Sequence, residues 1–351
     1  MELLYQGASE PNLLYFPGLF GDNPIPIYNM IQIGPVRVTF YGLLIASGML
    51  LAMIYAFKVF RKVGVDPDKA IDAIIGGIIG GVLGARIYFV AFNWDSYGLD
   101  FSSWDSFWST FFRLFKTWEG GMAIYGGLIG ALLVGGLVAK WRNISLPVLL
   151  DVVGIGFLLG QGIGRWGNFF NVEAFGDNTT LPWGMTSESI SRYLAIHQSS
   201  LEKIGVSIDP QVPVHPTFFY ESVWCLIGFV LLALYLKHRK FDGEVFLIYL
   251  AYYGAERFLV EGLRTDSLMI GSLRVSQLLA GVLVLASILA ILIIRSKIKG
   301  NHDENYLKLF VLTEEGQRIA QKLPPLKEEA VQGNQDKEPA AEEEKQDGSD
   351  H

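Results

Sequence analysis

PVLLDVVGIGFLLGQGIGRWGNFFNVEAFG, residues 147–176, runs a long apolar, glycine-rich segment into an arginine, two asparagines and a glutamate. A helix needs about 20 mainly apolar residues to cross the hydrocarbon core of a bilayer. Ionisable groups inside that core are costly, so a cluster closing such a run marks a functional position. Six further apolar runs surround this one. With it they predict spans near 38–59, 70–92, 120–140, 147–169, 217–236, 243–262 and 275–295. Of the 351 residues 51% are hydrophobic, 39 are glycine, and the mean hydropathy is +0.33, which is more apolar than a soluble domain of this size. The expected fold class is therefore all-α: a polytopic membrane protein of about seven transmembrane helices with a small extracytoplasmic head.

The charges between spans are unequal. Lys58, Arg61, Lys62 and Lys69 lie between spans one and two, Lys140 and Arg142 between three and four, and Lys237, Arg239 and Lys240 between five and six. Arg295, Lys297 and Lys299 follow span seven, whereas the alternate loops carry Asp95, Asp100, Asp105, Asp177, Glu188 and Asp209. The positive-inside rule then places the N-terminus outside and the C-terminus in the cytoplasm. Three regions follow: an extracytoplasmic segment 1–37, a transmembrane catalytic region 38–295 with outer loops 93–118 and 171–214, and a cytoplasmic acidic tail 296–351. The tail supplies much of the net charge of −7, is polar and free of aromatics over its last part, and is expected to be disordered. The first basic residue is Arg37, so no cleavable signal peptide is expected. The single cysteine, Cys225, sits in an apolar run and reads as a small buried filler.

The outer loops are aromatic. FNWDSYGLDFSSWDSFWSTFFRLF, beginning at Phe92, suits the membrane surface, either as an anchor or as a gate for a lipid-linked partner. The loop at 171–214 is long enough for a small external domain. Gly76, Gly80 and Gly84, and again Gly156, Gly160 and Gly164, recur every four residues, the spacing that lets helix backbones approach in lipid.

Polar residues within the spans share one depth. Arg86, Arg165 with Asn168, and Tyr253, Arg257 and Glu261 lie toward the outer ends of spans two, four and six, and Tyr41 opens span one on that side. Tyr125 stands about five residues into span three, roughly 8 Å at 1.5 Å per residue. Tyr253, Arg257, Glu261 and Arg264 fall on one helical face. An Arg257–Glu261 pair could simply neutralise itself; with Arg86 and Arg165 at the same depth, however, positive charge is in surplus. Guanidinium presents a planar fork of donors suited to phosphate, and the anion at that depth is a phospholipid headgroup.

At these residues the sequence resembles the bacterial prolipoprotein diacylglyceryl transferase family. GRWGNFFNVEAFG matches that family's signature at Gly164, Arg165, Gly167, Asn168, Asn171, Glu173 and Gly176. GGMAIYGGLIG at 120–130, VHPTFFYES at 214–222 and YYGAERFLVEGLRTD at 252–266 are similar to its other blocks, in the same order. The resemblance spans roughly 35–295. It departs at Tyr125, where many members carry His; a Tyr of ordinary pKa near 10 is a poor base, so this position is read as orienting substrate. The resemblance implies transfer of diacylglyceryl from phosphatidylglycerol to the lipobox cysteine of a prolipoprotein signal peptide. A thioether forms and glycerol phosphate leaves, with no cofactor, no metal and no nucleic-acid partner. It implies Arg165, Arg257 and Tyr125 as catalytic. Arg165, Asn168, Glu173, Gly176, Tyr41, Arg86, Tyr253, Glu261 and Arg264 would bind substrate. Arg165 would clamp the headgroup and Arg257 the phosphate or leaving group, Asn168 and Glu173 would hold Arg165 and the headgroup glycerol, and His215 is read as fixing the start of span five. The rival from another class is a transporter or flippase of an anionic lipid, which should place polar groups at mid-membrane or on both sides. An alcohol phosphatidyltransferase should show a cytoplasmic cluster of aspartates, which is not found.

Overall fold

A computed structural model describes residues 10–97, 102–117, 120–203, 206–264, 269–270, 273–303 and 305–323. In chain order the helices are α1 (Pro17–Phe20), α2 (Phe40–Phe60), α3 (Pro67–Phe92), α4 (Trp94–Tyr97), α5 (Trp104–Arg113), α6 (Ile124–Trp141), α7 (Leu146–Asn171), α8 (Glu188–Lys203), α9 (Thr217–Tyr235), α10 (Glu244–Glu261), α11 (Val275–Gly300) and α12 (Glu314–Ala320). Three short antiparallel pairs interrupt them: β1 (Asn12–Leu14) with β2 (Ile25–Ile27), β3 (Met30–Ile33) with β4 (Val36–Thr39), and β5 (Met269–Ile270) with β6 (Leu273–Arg274). Among the described residues, six helices are long and apolar enough to cross a membrane: α2 with its short extension to Val63, α3, α6, α7, α9 with its extension to His238, and α11. The remaining expected span forms α10, an 18-residue helix, but Glu244, Glu256, Arg257 and Glu261 leave it too charged to join them.

The chain forms two compact units. One comprises the described residues up to Lys58 together with Leu150–Leu307; the other comprises Val59–Leu149 and the described residues from Lys308 onward.

In the first unit the glycine ladder of α7 is used as its spacing suggests: Gly160 lies against Gly48 and Gly156 against Ala52 of α2. The Ser222 hydroxyl of α9 donates to the Gly162 carbonyl of α7 at 2.7 Å. Leu278, Val282, Leu285, Leu289 and Leu292 line an exposed apolar face of α11, suited to lipid rather than water. The head is a separate small core. Leu14, Ile27, Val172, Phe175, Met185, Ile190, Leu194, Leu201, Ile208, Val214 and Phe218 are buried together, so β1, β2 and α8 close over the loop after α7. The N-terminal segment is thus part of the head, through the Tyr15–Thr186 bridge as well.

In the second unit α3 and α6 touch backbone to backbone. A methyl group added at Gly84 would stand 2.3 Å from the Gly126 carbonyl oxygen, and one at Gly130 would stand 2.1 Å from that of Gly80. No side chain fits at these glycines, the extreme of small-residue packing between membrane helices. α5 buries no residue and carries a run of mutually packed aromatics, Trp104, Phe107, Trp108, Phe111 and Phe112. Beyond α11, Gly316 of α12 packs against Gly64, so ordered structure extends into the segment expected as a tail; residues 324–351 lie outside the described residues.

Candidate functional site

The signature arginine meets its partner on another helix. Arg165, near the end of α7, pairs through Nε with Oε2 of Glu221, one turn into α9. The other oxygen of Glu221, Oε1, accepts from an Arg257 terminal nitrogen at 3.3 Å, and the second terminal nitrogen of Arg257 donates to Glu261 Oε2 at 2.5 Å. Arg274 then donates to the Glu261 backbone carbonyl. Glu221 is 1% exposed and Glu261 2%, so both carboxylates are taken out of solvent by arginine contacts. A buried carboxylate stands only when paired and hydrogen-bonded, and here one glutamate fixes two guanidinium groups in register. Arg165 gives only Nε to this chain: its two terminal amino groups bond to no described residue, and its side chain keeps 21% of its exposure.

The chain after Arg165 explains the rest of the signature. The side-chain amides of Asn168 and Asn171 both donate to Glu173 Oε1 at 3.0 Å, and the Glu173 amide donates to the Asn168 carbonyl at 3.0 Å. Val172 and Ala174 adopt φ of 52° and 54°, so Glu173 sits between two left-handed residues. Such a φ is strained for a β-branched residue such as Val172 and is the kind of local cost found where a side chain must be placed. Asn168 and Glu173 therefore hold each other, and Arg165 is held by Glu221 instead. A methyl at Gly167 would lie 2.5 Å from the Tyr41 ring, so the absence of a side chain there seats Tyr41 beside the signature. Gly176 forms a bridge to Arg264 and donates its amide to the His215 carbonyl at 2.9 Å. Its backbone, squeezed between His215 and Leu263, ties the signature to the segment after α10. Tyr253 stacks on Tyr249 and lies within electrostatic range of Arg165, Glu256, Arg257 and Glu221.

Next to Gly176 a hydrogen-bond chain leaves the helix ends. Trp183 Nε1 donates to the Tyr220 hydroxyl at 2.7 Å, that hydroxyl meets His215 Nδ1 at 3.0 Å, and His215 Nε2 faces Asp177 Oδ1 at 3.7 Å. Burial pushes the Asp177 carboxyl above its ordinary value, against the opposing pull of His215.

Arg86 and Tyr125 belong to the second unit, which is described by itself. Arg86 is fully engaged there. Its Nε donates to Leu114 O at 2.7 Å, one terminal nitrogen to Gly120 O at 2.9 Å and Gly121 O at 3.0 Å, and the other to Arg113 O at 2.9 Å. It ties off the end of α5, where carbonyls gather negative partial charge. Gly120 and Gly121, at φ of 87° and 75°, turn their carbonyls onto it. Tyr125 lies in the first turn of α6, about half exposed.

Two acidic residues stand out to which the resemblance gave no role. Glu221 belongs to the VHPTFFYES block, and its place one turn into an apolar span was the signal available. With Glu221, Glu256 and Glu261 facing Arg165 and Arg257, surplus positive charge is not what distinguishes this end of the bundle. What distinguishes it is the pair of uncommitted donors on Arg165. Glu256 is 2% exposed, and neither of its oxygens is hydrogen-bonded to a described residue.

Fold and site together define a multi-pass helical membrane enzyme with an arginine–carboxylate centre where three helices end. The chain belongs to the prolipoprotein diacylglyceryl transferase family, whose model matches residues 28–293. A phosphatidylglycerol–prolipoprotein diacylglyceryl transferase of Clostridioides difficile (strain 630) is 38% identical over 236 residues, 67% of this chain and 82% of that protein. Its namesake from Staphylococcus aureus (strain Newman) is 40% identical over 241 residues, 69% of this chain and 79% of that protein.

Proposed function

We propose that this protein transfers the diacylglyceryl group of phosphatidylglycerol to the lipobox cysteine of prolipoprotein signal peptides. It would do so in a bacterial cell membrane, with the signature ends of α7, α9 and α10 toward the outer face and the C-terminus in the cytoplasm. The carrying observation is Arg165, fixed by Glu221 yet with two donors uncommitted. That geometry receives a phosphodiester: two N–H groups in one plane, pre-aimed, with Arg257 held beside them on the same carboxylate. The leaving glycerol phosphate gains negative charge as the carbon–oxygen bond breaks, and donors already in place stabilise it without reorganising. Asn168 and Glu173 hold the headgroup glycerol, Glu173 through the oxygen its asparagines leave unused. Tyr41 and Tyr253 flank the headgroup, Glu261 and Arg264 set the Arg257 face, Gly176 places Arg264, and Arg86 and Tyr125 orient substrate, Arg86 by shaping the loop it closes. Family membership favours this reading over a lipid transporter.

The test uses purified protein, phosphatidylglycerol and a peptide carrying a lipobox. Mass spectrometry of the peptide should reveal a diacylglyceryl adduct on its cysteine and none on a Cys→Ser peptide. Folded protein that yields no adduct, or lipid-loaded vesicles that lose phosphatidylglycerol from one leaflet to the other, would overturn the transferase reading.

A further inference from the structure

Glu256 sits next to Arg257 on α10, yet none of the neighbouring arginines bonds to it. Arg165 and Arg257 pair instead with Glu221 and Glu261, although Glu221, Arg165, Arg257 and Arg264 all lie within electrostatic range of the Glu256 carboxyl. Both of its oxygens are buried and without a hydrogen-bond partner among the described residues. It lines a cavity of about 200 Å³ whose other walls are Tyr220 and Trp224 of α9 and Leu259, Val260 and Leu263. An apolar void of about 150 Å³ already admits a benzene-sized group. Burying an unpaired carboxyl is costly, and an apolar residue here would pack the same wall at no such cost. A carboxyl held this way, beside a phosphate clamp and facing an otherwise apolar cavity, is arranged to take a proton from a weakly polar group. A thiol is such a group.

Resting on the transferase reading, we propose that Glu256 is the proton acceptor for the client cysteine, a role Tyr125 is unsuited to fill. The client S–H gives its proton to a Glu256 oxygen while the sulfur lone pair forms a bond to the glycerol carbon that bears the phosphodiester. The bond from that carbon to the phosphate oxygen breaks, and its electron pair leaves with glycerol phosphate, now a monoester with a second negative charge. Glu256 then returns its proton to that phosphate, or to water, and is a carboxylate again. The thiolate is the reactive form of cysteine, so a base within the cavity removes the one obstacle the arginines do not.

Glu256→Gln keeps shape and removes the base. In the adduct assay we expect turnover to fall about 100-fold, the usual scale of general-base catalysis, with KM for phosphatidylglycerol unchanged. A lipobox peptide with selenocysteine in place of cysteine, already ionised at neutral pH, should restore Glu256→Gln to near wild-type turnover. In the wild type, turnover of the cysteine peptide should fall on the acid side as Glu256 takes a proton, and turnover of the selenocysteine peptide should not. That limb is read against the titratable and charged groups facing Glu256: Glu221, Tyr220 and Cys225 on α9, Arg165 on α7, Tyr252, Tyr253 and Arg257 on α10, and Arg264 after it. Wild-type turnover by Glu256→Gln, or equal loss with both peptides, overturns the role of Glu256 alone. Absence of adduct with the wild type overturns the transferase reading and this one with it. Where Glu256→Gln fails to fold, Glu256→Asp, which keeps the carboxylate but draws it back, should lose turnover with the cysteine peptide and recover it with the selenocysteine peptide, and equal loss with both overturns the role of Glu256.

Discussion

The same helices carry charged clusters at both ends, and the two are built on different plans. At the end opposite the signature, Asp151 of α7 is fully buried and accepts backbone amides from Phe246 and Gly243, each at 2.9 Å. Arg239 faces it and also bonds Asp242 and the Leu236 carbonyl. Glu244 accepts from Arg295 Nε and from the Lys240 amide, each at 2.5 Å, and Arg295 reaches the Tyr235 hydroxyl at 2.5 Å. Its carboxylates are anchored partly by main chain, and every oxygen of Asp151 and Glu244 has a partner. At the signature end the carboxylates of Glu221 and Glu261 are held by arginine side chains, Arg165 keeps two donors open, and Glu256 is bonded to nothing described. Backbone anchoring makes a closed network that locks helix ends; side-chain anchoring leaves donors that a ligand can take. One end is a fastening and the other a receptor.

The sharpest test of that contrast is Arg165→Lys. Lysine keeps the charge and loses the planar fork, so the variant should insert normally and lose about 100- to 1000-fold in adduct formation. Normal turnover would remove the headgroup clamp. Glu221→Gln should come next, about 10- to 100-fold, because one amide cannot hold two guanidinium groups in register; a raised KM for phosphatidylglycerol would show that the arginines had lost position. Asp151→Asn should reverse the pattern. Its amide turns a donor toward backbone N–H groups and Arg239, and breaking a buried pair of this kind costs about 3 kcal/mol or more. The melting temperature in detergent should fall while turnover per folded molecule holds; a selective loss of turnover would mean that the fastening also serves the chemistry.

The smallest effect belongs to Asp177, outside the spans. Its carboxyl titrates above its ordinary value because burial disfavours the charge. A group raised in the folded state contributes stability that is fully present below its unfolded value and lost as pH rises through the folded one. Wild-type melting temperature should therefore decline slightly as pH rises above the ordinary aspartate value of about 4, and Asp177→Asn should flatten that slope. An unchanged slope would assign the decline to other groups.

The chain order of the spans was legible because hydropathy and charge alternation act locally, and a bilayer leaves a helix few alternatives. Gly80 and Gly84 announced a close partner, though nothing local named Gly126 and Gly130 as that partner. The signature was legible as chemistry but not as geometry. Asn168 and Glu173 were expected to support Arg165; the support comes from Glu221, 56 residues on, because helix periodicity describes one face and cannot say what stands across from it. Arg86 drew attention by its depth, yet it closes a loop whose open carbonyls exist only once Gly120 and Gly121 have turned. Charge within α10 was visible, and the same charge sets that helix apart from the six whose hydropathy alone marks them as spans.

The hydrogen-bond chain beside Gly176 has a direction. An indole N–H can only give, so the Tyr220 oxygen receives from Trp183, and in the Nε2–H tautomer of His215 the Tyr220 hydrogen passes on to Nδ1. The imidazole proton then sits on Nε2, facing Asp177. A second proton on His215 would turn that arrow around: Nδ1–H would give to Tyr220, whose oxygen would now receive from both sides and whose hydrogen would have to swing away. Tyr220 is also a wall of the cavity that holds Glu256. The donor character of that wall is therefore written in the tautomer of a histidine outside it, and a nitrogen-15 spectrum of His215 would read it directly.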